Sequence, residues 1–335
     1  MSDNQDGYSR VNRFIGNHFR RGGVRVGVRM SGSAIFSVEI ELGWGYHDLQ
    51  RANKYAALSE NREAETEALE RLLALCDRFE IPITFDVVGH LFLEECSGVH
   101  HGEYPAGWFD SDPGTDLRSD PLFYAPDLIE MIEAAEMDHE ICTHTFSHAL
   151  GEEFSSVQLD ADLTEAQRLQ RCRFGEPAES IVPPRHQQID SEILNQNGLR
   201  VVRQTRGQIP ETKPELLRWY FSRNHPVLEP VTEDGLVTTY TSVTQSMTAP
   251  YVAQGQRTLH PVLRSIPLSV RKYIHRRYVE DALNRAVADG KQAHFWTHLH
   301  NMANERQTDI IKQSVVLASE RREDGELQIA RMCDL

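Results

Sequence analysis

The chain reads as a parallel α/β protein, and three observations predict it. Apolar runs of strand length alternate with amphipathic helical stretches, the order that βαβ units produce. Polar clusters sit at the ends of three of these runs: Glu39 and Glu41, His144 and His148, and His298 and His300. The length of 335 residues, 40% of them hydrophobic, lets a single α/β barrel with insertions bury its core. Three clusters at strand ends predict one site at one end of the sheet or barrel.

The elements follow in order. Residues 1–22 are polar and irregular, so 1–30 is expected to be a flexible arm and 31–325 one folded unit. Residues 34–40 alternate as a first strand, with Glu39 and Glu41 on one side. Residues 59–79 carry Leu69, Leu72, Leu73 and Cys76 on one helical face. Residues 81–89 form a second strand. Residues 97–124, rich in Gly, Pro, Asp and aromatics, form a loop long enough to be functional. A short helix over 125–135 precedes a third strand over 139–143. A helix over 159–174 has Asp160 or Asp162 near its start. A short strand at 180–182 ends in Pro183-Pro184-Arg185-His186. A helix over 190–196 stops at Asn197-Gly198, and residues 199–202 form a strand. Little periodicity appears over 205–235. Then come a strand over 236–243, a helix over 273–288 stopped by Asp289-Gly290, a strand over 292–297 and a helix over 305–320. That makes seven strand-like runs.

Composition narrows the function. A net charge of −15 argues against nucleic-acid binding, which needs clustered positive charge. Of 35 basic residues only Lys54, Lys213, Lys272, Lys291 and Lys312 are lysine, and acid excess with scarce lysine resembles proteins of salt-loving archaea. No apolar run approaches the roughly 18–20 residues that span a membrane. The polar N-terminus is unlike a secretory signal, and Arg20-Arg21 is a poor match to a twin-arginine signal. The five scattered cysteines form neither a disulfide framework nor a zinc ribbon, so a reducing cytoplasm is expected. Cys142 reads as a small buried core residue. No repeat and no glycine-rich phosphate loop is present, and the sequence does not speak to oligomeric state.

The chemistry concentrates in His139-Glu-Ile-Cys-Thr-His144-Thr-Phe-Ser-His148. Two histidines four apart, at the end of a strand, can aim both imidazoles one way. With one carboxylate they make a metal site that leaves room for water. The carboxylates available upstream are Glu39 and Glu41 in Phe36-Ser-Val-Glu-Ile-Glu-Leu-Gly-Trp-Gly45.

His144-Thr-Phe-Ser-His148, with its lead-in His139-Glu140-Ile141 and the strand Ile83-Thr-Phe-Asp-Val-Val-Gly89, resembles the polysaccharide deacetylase family, the NodB homology domain of carbohydrate esterase family 4. The resemblance spans about residues 33–300. It implies a distorted seven-stranded (β/α) barrel and metal-assisted removal of acetyl groups from an N-acetylated sugar. It also implies roles for particular residues. His144 and His148 hold the metal with Glu41 as third ligand. Glu39 is the base, Arg185 orients the base, and His298, with His300 as alternate, protonates the leaving amine. The metal is a divalent cation. Zinc suits the donors, with cobalt, manganese, nickel and iron as alternatives.

The chain departs from the common pattern. Ile40 separates Glu39 and Glu41 where the family has adjacent aspartates, so their roles are open to exchange. Pro183-Pro184-Arg185-His186 replaces the usual arginine motif, and no Asp-x-x-Asp-Trp motif is found. Asp86 stands where the family has an apolar residue, as a structural acceptor or a supporting group. Trp44, Trp108 and Trp296 are stacking candidates, with core packing the alternative. An amidohydrolase acting on a small non-sugar amide or ureide, and a non-catalytic glycan-binding protein, are therefore the competing readings.

Overall fold

The computed structural model describes residues 32–206, 214, 227–242, 266–303 and 305–335. The arm expected over 1–30 and most of the stretch before 227 lie outside the described residues. Nine strands among the described residues make one sheet. They are β1 Gly32–Ile40, β2 Thr84–Val87, β3 Glu140–Thr143, β4 Ser180–Ile181, β5 Val201–Thr205, β6 Val231–Glu233, β7 Leu236–Thr241, β8 Gln292–His298 and β9 Leu327–Ala330. The order is β6-β7-β5-β4-β3-β2-β1-β8, with β9 beside the start of β1. Every pairing is parallel except β6 with β7. The two strands beyond the seven expected are the short β6 and β9. In β6, Thr232 and Glu233 are exposed and present no apolar pattern to read.

The sheet curls into a distorted (β/α) barrel because its ends approach each other. Ser242, just after β7, donates its N–H to the His294 carbonyl of β8 at 2.7 Å, and His294 N donates to Ser242 Oγ at 2.9 Å. Curling gives β1 two buried faces, and all of Ala34 to Ile40 is buried. The period of two then divides its side chains. Ala34, Phe36, Val38 and Ile40 join the core under the helices, whereas Ile35 packs inside the barrel with Cys142, Val182, Val201 and Met332. Ser37 and Glu39 stand above Ile35 on that inner face, the next layers towards the carboxyl end.

The helices cover the outer face. α1 Glu63–Phe79 buries Leu69, Leu72, Leu73 and Cys76, the stripe expected from sequence. α2 is Pro126–Glu133. α3 Ser156–Phe174 starts earlier than expected, because Ser155 caps it in a reciprocal pair with Gln158 rather than Asp160 or Asp162. α4 is Ser191–Gln196, α5 Leu268–Asp289 and α6 Glu305–Glu323. Gly290 at φ 64 closes α5 in the left-handed region, which favours glycine. Among the described residues, no helix is long and apolar enough to cross a membrane. All five cysteines are unpaired.

Candidate metal and catalytic centre

The two-histidine segment is shaped by its own intervening residues. Val87 O accepts from His144 N at 3.0 Å, which continues the β2–β3 ladder past the end of β3. Thr145 and His148 then take φ of 63 and 62, a left-handed conformation that non-glycine residues avoid unless held. Asp162, on the first turns of α3 and fully buried, does the holding. It accepts from Phe146 N (2.7 Å), Ser147 N (3.1 Å) and Ser147 Oγ (2.5 Å). Thr145 Oγ1 accepts from Ala149 N at 2.8 Å. Trp108 Nε1 donates to Ser147 Oγ at 2.8 Å, so Trp108 serves the loop, and Trp44 is wholly buried with its Nε1 on Phe123 O. Of the three tryptophans, Trp296 is the one that lines the cleft described below.

Glu41, just past the end of β1 and two strands over from β3, closes the site. Its Oε1 lies 3.1 Å from His144 Nε2 and 3.2 Å from His148 Nε2. A side chain on Gly45 would strike the Glu41 carboxylate. His144 Nδ1 faces the Val182 carbonyl at 2.6 Å and must carry a proton there. With Nδ1 protonated, the neutral ring turns a bare lone pair at Nε2 towards the Glu41 oxygen. His148 turns its own Nε2 to the same oxygen. A cation between the three donors resolves that arrangement without charging the rings, so two imidazoles and one carboxylate here fit a divalent metal.

Glu39 sits beside this set. Its Cα is in register with Asp86 on one side and His298 on the other, so all three side chains share the inner face. His298 Nε2 lies 2.8 Å from Glu39 Oε2 and 3.6 Å from Glu41 Oε2. Arg203, fully buried, grips Glu39 Oε1 and donates to Ser37 Oγ at 2.7 Å, with its guanidinium over the Trp296 ring. Burial pushes the Glu39 carboxyl up, but the charges of His298 and Arg203 outweigh it and hold Glu39 well below the usual carboxylate range. Burial disfavours charge on His298 too, yet Glu39 and Glu41 raise it to about 9. Asp86 goes the other way. Burial lifts it to about 7, because Arg203 Nη1 is 3.9 Å away and neither carboxyl oxygen has a hydrogen-bond partner.

The structure thus brings together Glu39, Glu41, His144, His148 and His298. His300 stands at the rim, its Nε2 3.0 Å from Tyr46 OH and its ring 4.8 Å from that of His298. Arg185 requires a correction. Its guanidinium pairs with Asp48 at 2.6 Å, and the arginine on Glu39 is Arg203. The turn carrying Arg185 leaves β4 on the cleft wall, whereas Arg203 rises from inside the barrel on β5. A charged residue at the inward position two after Val201 was the available signal, and it falls just past the strand expected over 199–202. Asp162 was visible only as a helix-start acid.

Glu39, Glu41, His148, His298 and His300 line a cleft of about 280 Å³ with Tyr46, Arg185 and Trp296. It opens at the carboxyl ends of the strands, where (β/α) barrels place their chemistry. A larger cleft of about 740 Å³ lies at the opposite end, around His139, Glu179 and Arg331. No group of three or more metal-donor side chains converges there among the described residues, so the smaller cleft is the candidate site.

Fold and cluster together define a (β/α) barrel with histidines and carboxylates converging at its carboxyl mouth. Residues 52–202 match the sequence model of the polysaccharide deacetylase family. The matched region includes His144 and His148, while β1 and β8, with Glu39, Glu41 and His298, lie outside it. The search of curated proteins gives no match. Among solved structures, the chain is similar to a candidate polysaccharide deacetylase from Mycobacterium smegmatis (14% identity, 91% of this chain and 88% of that one, TM-score 0.58). It is also similar to the PuuE allantoinase (12%, 91% and 89%, 0.56). A third is a candidate polysaccharide deacetylase from Pseudomonas aeruginosa PAO1 (13%, 91% and 90%, 0.54). At these identities the likeness is one of fold.

Proposed function

We propose that this protein is a metal-dependent hydrolase that removes N-acetyl groups from a sugar or polysaccharide precursor in the cytoplasm. The observation that carries the reading is the meeting of Glu41 Oε1 with both histidine Nε2 atoms, beside the Glu39–His298 pair. Glu41, His144 and His148 would hold the cation, zinc by preference of this donor set. When bound, the cation supplies Lewis acidity towards the acyl oxygen and the attacking water. Glu39, ionised and fixed by Arg203, takes the proton that water loses as it adds to the acyl carbon. His298 gives its proton to the nitrogen as the C–N bond breaks, and an unprotonated amine would leave poorly. His300 and Tyr46 shape the rim on the His298 side, and Arg185 lies where it can meet a polar group of the substrate. The test is acetate release from N-acetylated sugars by purified protein with added zinc or cobalt. Absence of acetate from every such sugar sinks the sugar reading.

The size of the cleft favours a second reading. About 280 Å³ lies at the lower edge of the roughly 300–1,000 Å³ usual for ligand pockets, which suits a small non-sugar amide or ureide. The same assay run on small amides separates the two. A non-catalytic glycan binder would keep its glycan affinity after metal removal and after Glu39→Gln.

A further inference from the structure

We infer that His90, Cys96, His100 and Asp112 form a second divalent-metal site, closed and structural, in the loop region over residues 90–124. Their donor atoms all lie within 4.8 Å of one another. None of the four belongs to the cleft at the barrel mouth.

Each donor is aimed by a neighbour. His90 lies three residues past the end of β2 and is fully buried. Its Nδ1 faces the Phe123 carbonyl at 3.2 Å and so carries the proton, which leaves a lone pair on Nε2. That Nε2 has no hydrogen-bond partner and lies 3.4 Å from Asp112 Oδ2. Asp112 Oδ1 accepts from Tyr124 OH (2.9 Å) and Gly114 N (3.1 Å), which turns Oδ2 to the histidines. His100 Nε2 lies 2.5 Å from Oδ2 and 3.8 Å from Cys96 Sγ. The backbone is arranged to match. Cys96 N bonds Thr115 O at 2.9 Å, and Gly98 and Gly114 meet at φ of 73 and 61, so closely that a Cβ on Gly98 would come within 3.2 Å of the Gly114 Cα.

Chemistry selects a cation over a plain hydrogen-bond network. A bare imidazole lone pair facing a carboxylate oxygen is repulsive unless something positive lies between them. Donors around a tetrahedral zinc sit about 3.3–3.7 Å apart. The 3.4 Å of His90 and Asp112 and the 3.8 Å of His100 and Cys96 are near that, while His100 and Asp112, hydrogen-bonded at 2.5 Å, would have to part to admit the cation. Two imidazoles, a thiol and a carboxylate make a full set of four, with no position left for water. Aromatic rings seal it. Phe109 stacks on His100 at 3.8 Å, and Trp44 and Tyr124 flank His90 at 4.4 and 5.4 Å. The site would tie the long loop to the end of β2. The far end of that loop holds the turn after Glu41, through Leu122 O on Gly43 N and Phe123 O on Trp44 Nε1. A metal here braces one wall of the cleft.

The experiment uses the full chain carrying His144→Ala and His148→Ala, stripped of metal and titrated with cobalt(II). The expected result is one cobalt per chain with a thiolate-to-cobalt charge-transfer band, lost on adding Cys96→Ser and displaced by zinc. A folded double variant that retains no cobalt, or retains it without that band, overturns the inference. Should the double variant fail to fold, the wild-type protein decides. Zinc should slow alkylation of Cys96, mapped by peptide mass, roughly tenfold or more. An unchanged rate at Cys96 overturns the inference equally.

Discussion

The cluster at the barrel mouth and the cluster in the loop use the same side chains to opposite ends. At the mouth, three donors from β1 and the end of β3 converge, and next to them stand an ionised Glu39 and a proton-bearing His298 that face a cleft. In the loop, four donors face one another, and aromatic rings cover them. Reactivity therefore depends less on the presence of histidine and carboxylate than on groups left over once the donors have met, and on access for a substrate.

The largest expected effect breaks the mouth while sparing its metal. Glu39→Gln keeps the hydrogen bond from Arg203 but cannot take a proton, so kcat should fall by roughly 10²–10⁴ with metal content unchanged. Elemental analysis beside acetate-release kinetics checks both halves. Activity that survives would move the base to Glu41 and reverse the two glutamates. Cys96→Ser should act the other way round. It removes metal from the loop, lowers the melting temperature and leaves the pH profile of kcat in place.

The mouth was legible in sequence because its residues fall at strand ends, where a period of two and a four-residue histidine spacing can be counted. Glu39, Glu41, His144, His148 and His298 come from three such places. The loop cluster was not legible. His90, Cys96, His100 and Asp112 are spaced irregularly through a segment without periodicity, and backbone contacts such as Cys96 N on Thr115 O and Gly98 against Gly114 draw them together. Arg203 was missed for another reason. Its partners Ser37 and Glu39 lie more than 160 residues away, on a strand that neighbours β5 only across the curled barrel.

The two arginines sharpen the contrast between interior and rim. Arg203→Met leaves Asp86 buried without its guanidinium partner and Glu39 with His298 alone. Removing one partner of a buried pair destabilises by about 3–5 kcal/mol, which urea unfolding at pH 7 should show. Arg185→Met breaks a pair with Asp48 that is a third exposed on the arginine side, so at most about 1 kcal/mol should be lost. Equal losses would mean that the interior around Arg203 is wetter than its burial indicates.

The smallest effect compares histidines at the two ends of the barrel. Anionic neighbours raise His298, at the carboxyl end, whereas burial lowers His139, at the amino end, to about 4. Asp77 and Asp138 pull His139 up and Arg331 pushes it down, but none outweighs the loss of water. The ring also accepts from Ile83 N through Nδ1 at 3.1 Å, which requires an unprotonated nitrogen there. The folded state therefore binds its proton later than the unfolded chain, whose histidine titrates near 6.5. As pH falls from about 6.5 to about 4 the unfolded state gains protons first, and stability present above that window is lost. The ring is part exposed and solvent screens it, so its share is on the order of 1 kcal/mol. His47 and His186 are lowered to about 4 and about 3 and deepen the same acid-side loss. His139→Asn offers an amide oxygen to Ile83 N and cannot titrate. The fall in urea midpoint between pH 6.5 and 4 should therefore be shallower in the variant than in the wild type. An unchanged slope would assign the acid sensitivity to the histidines at the mouth.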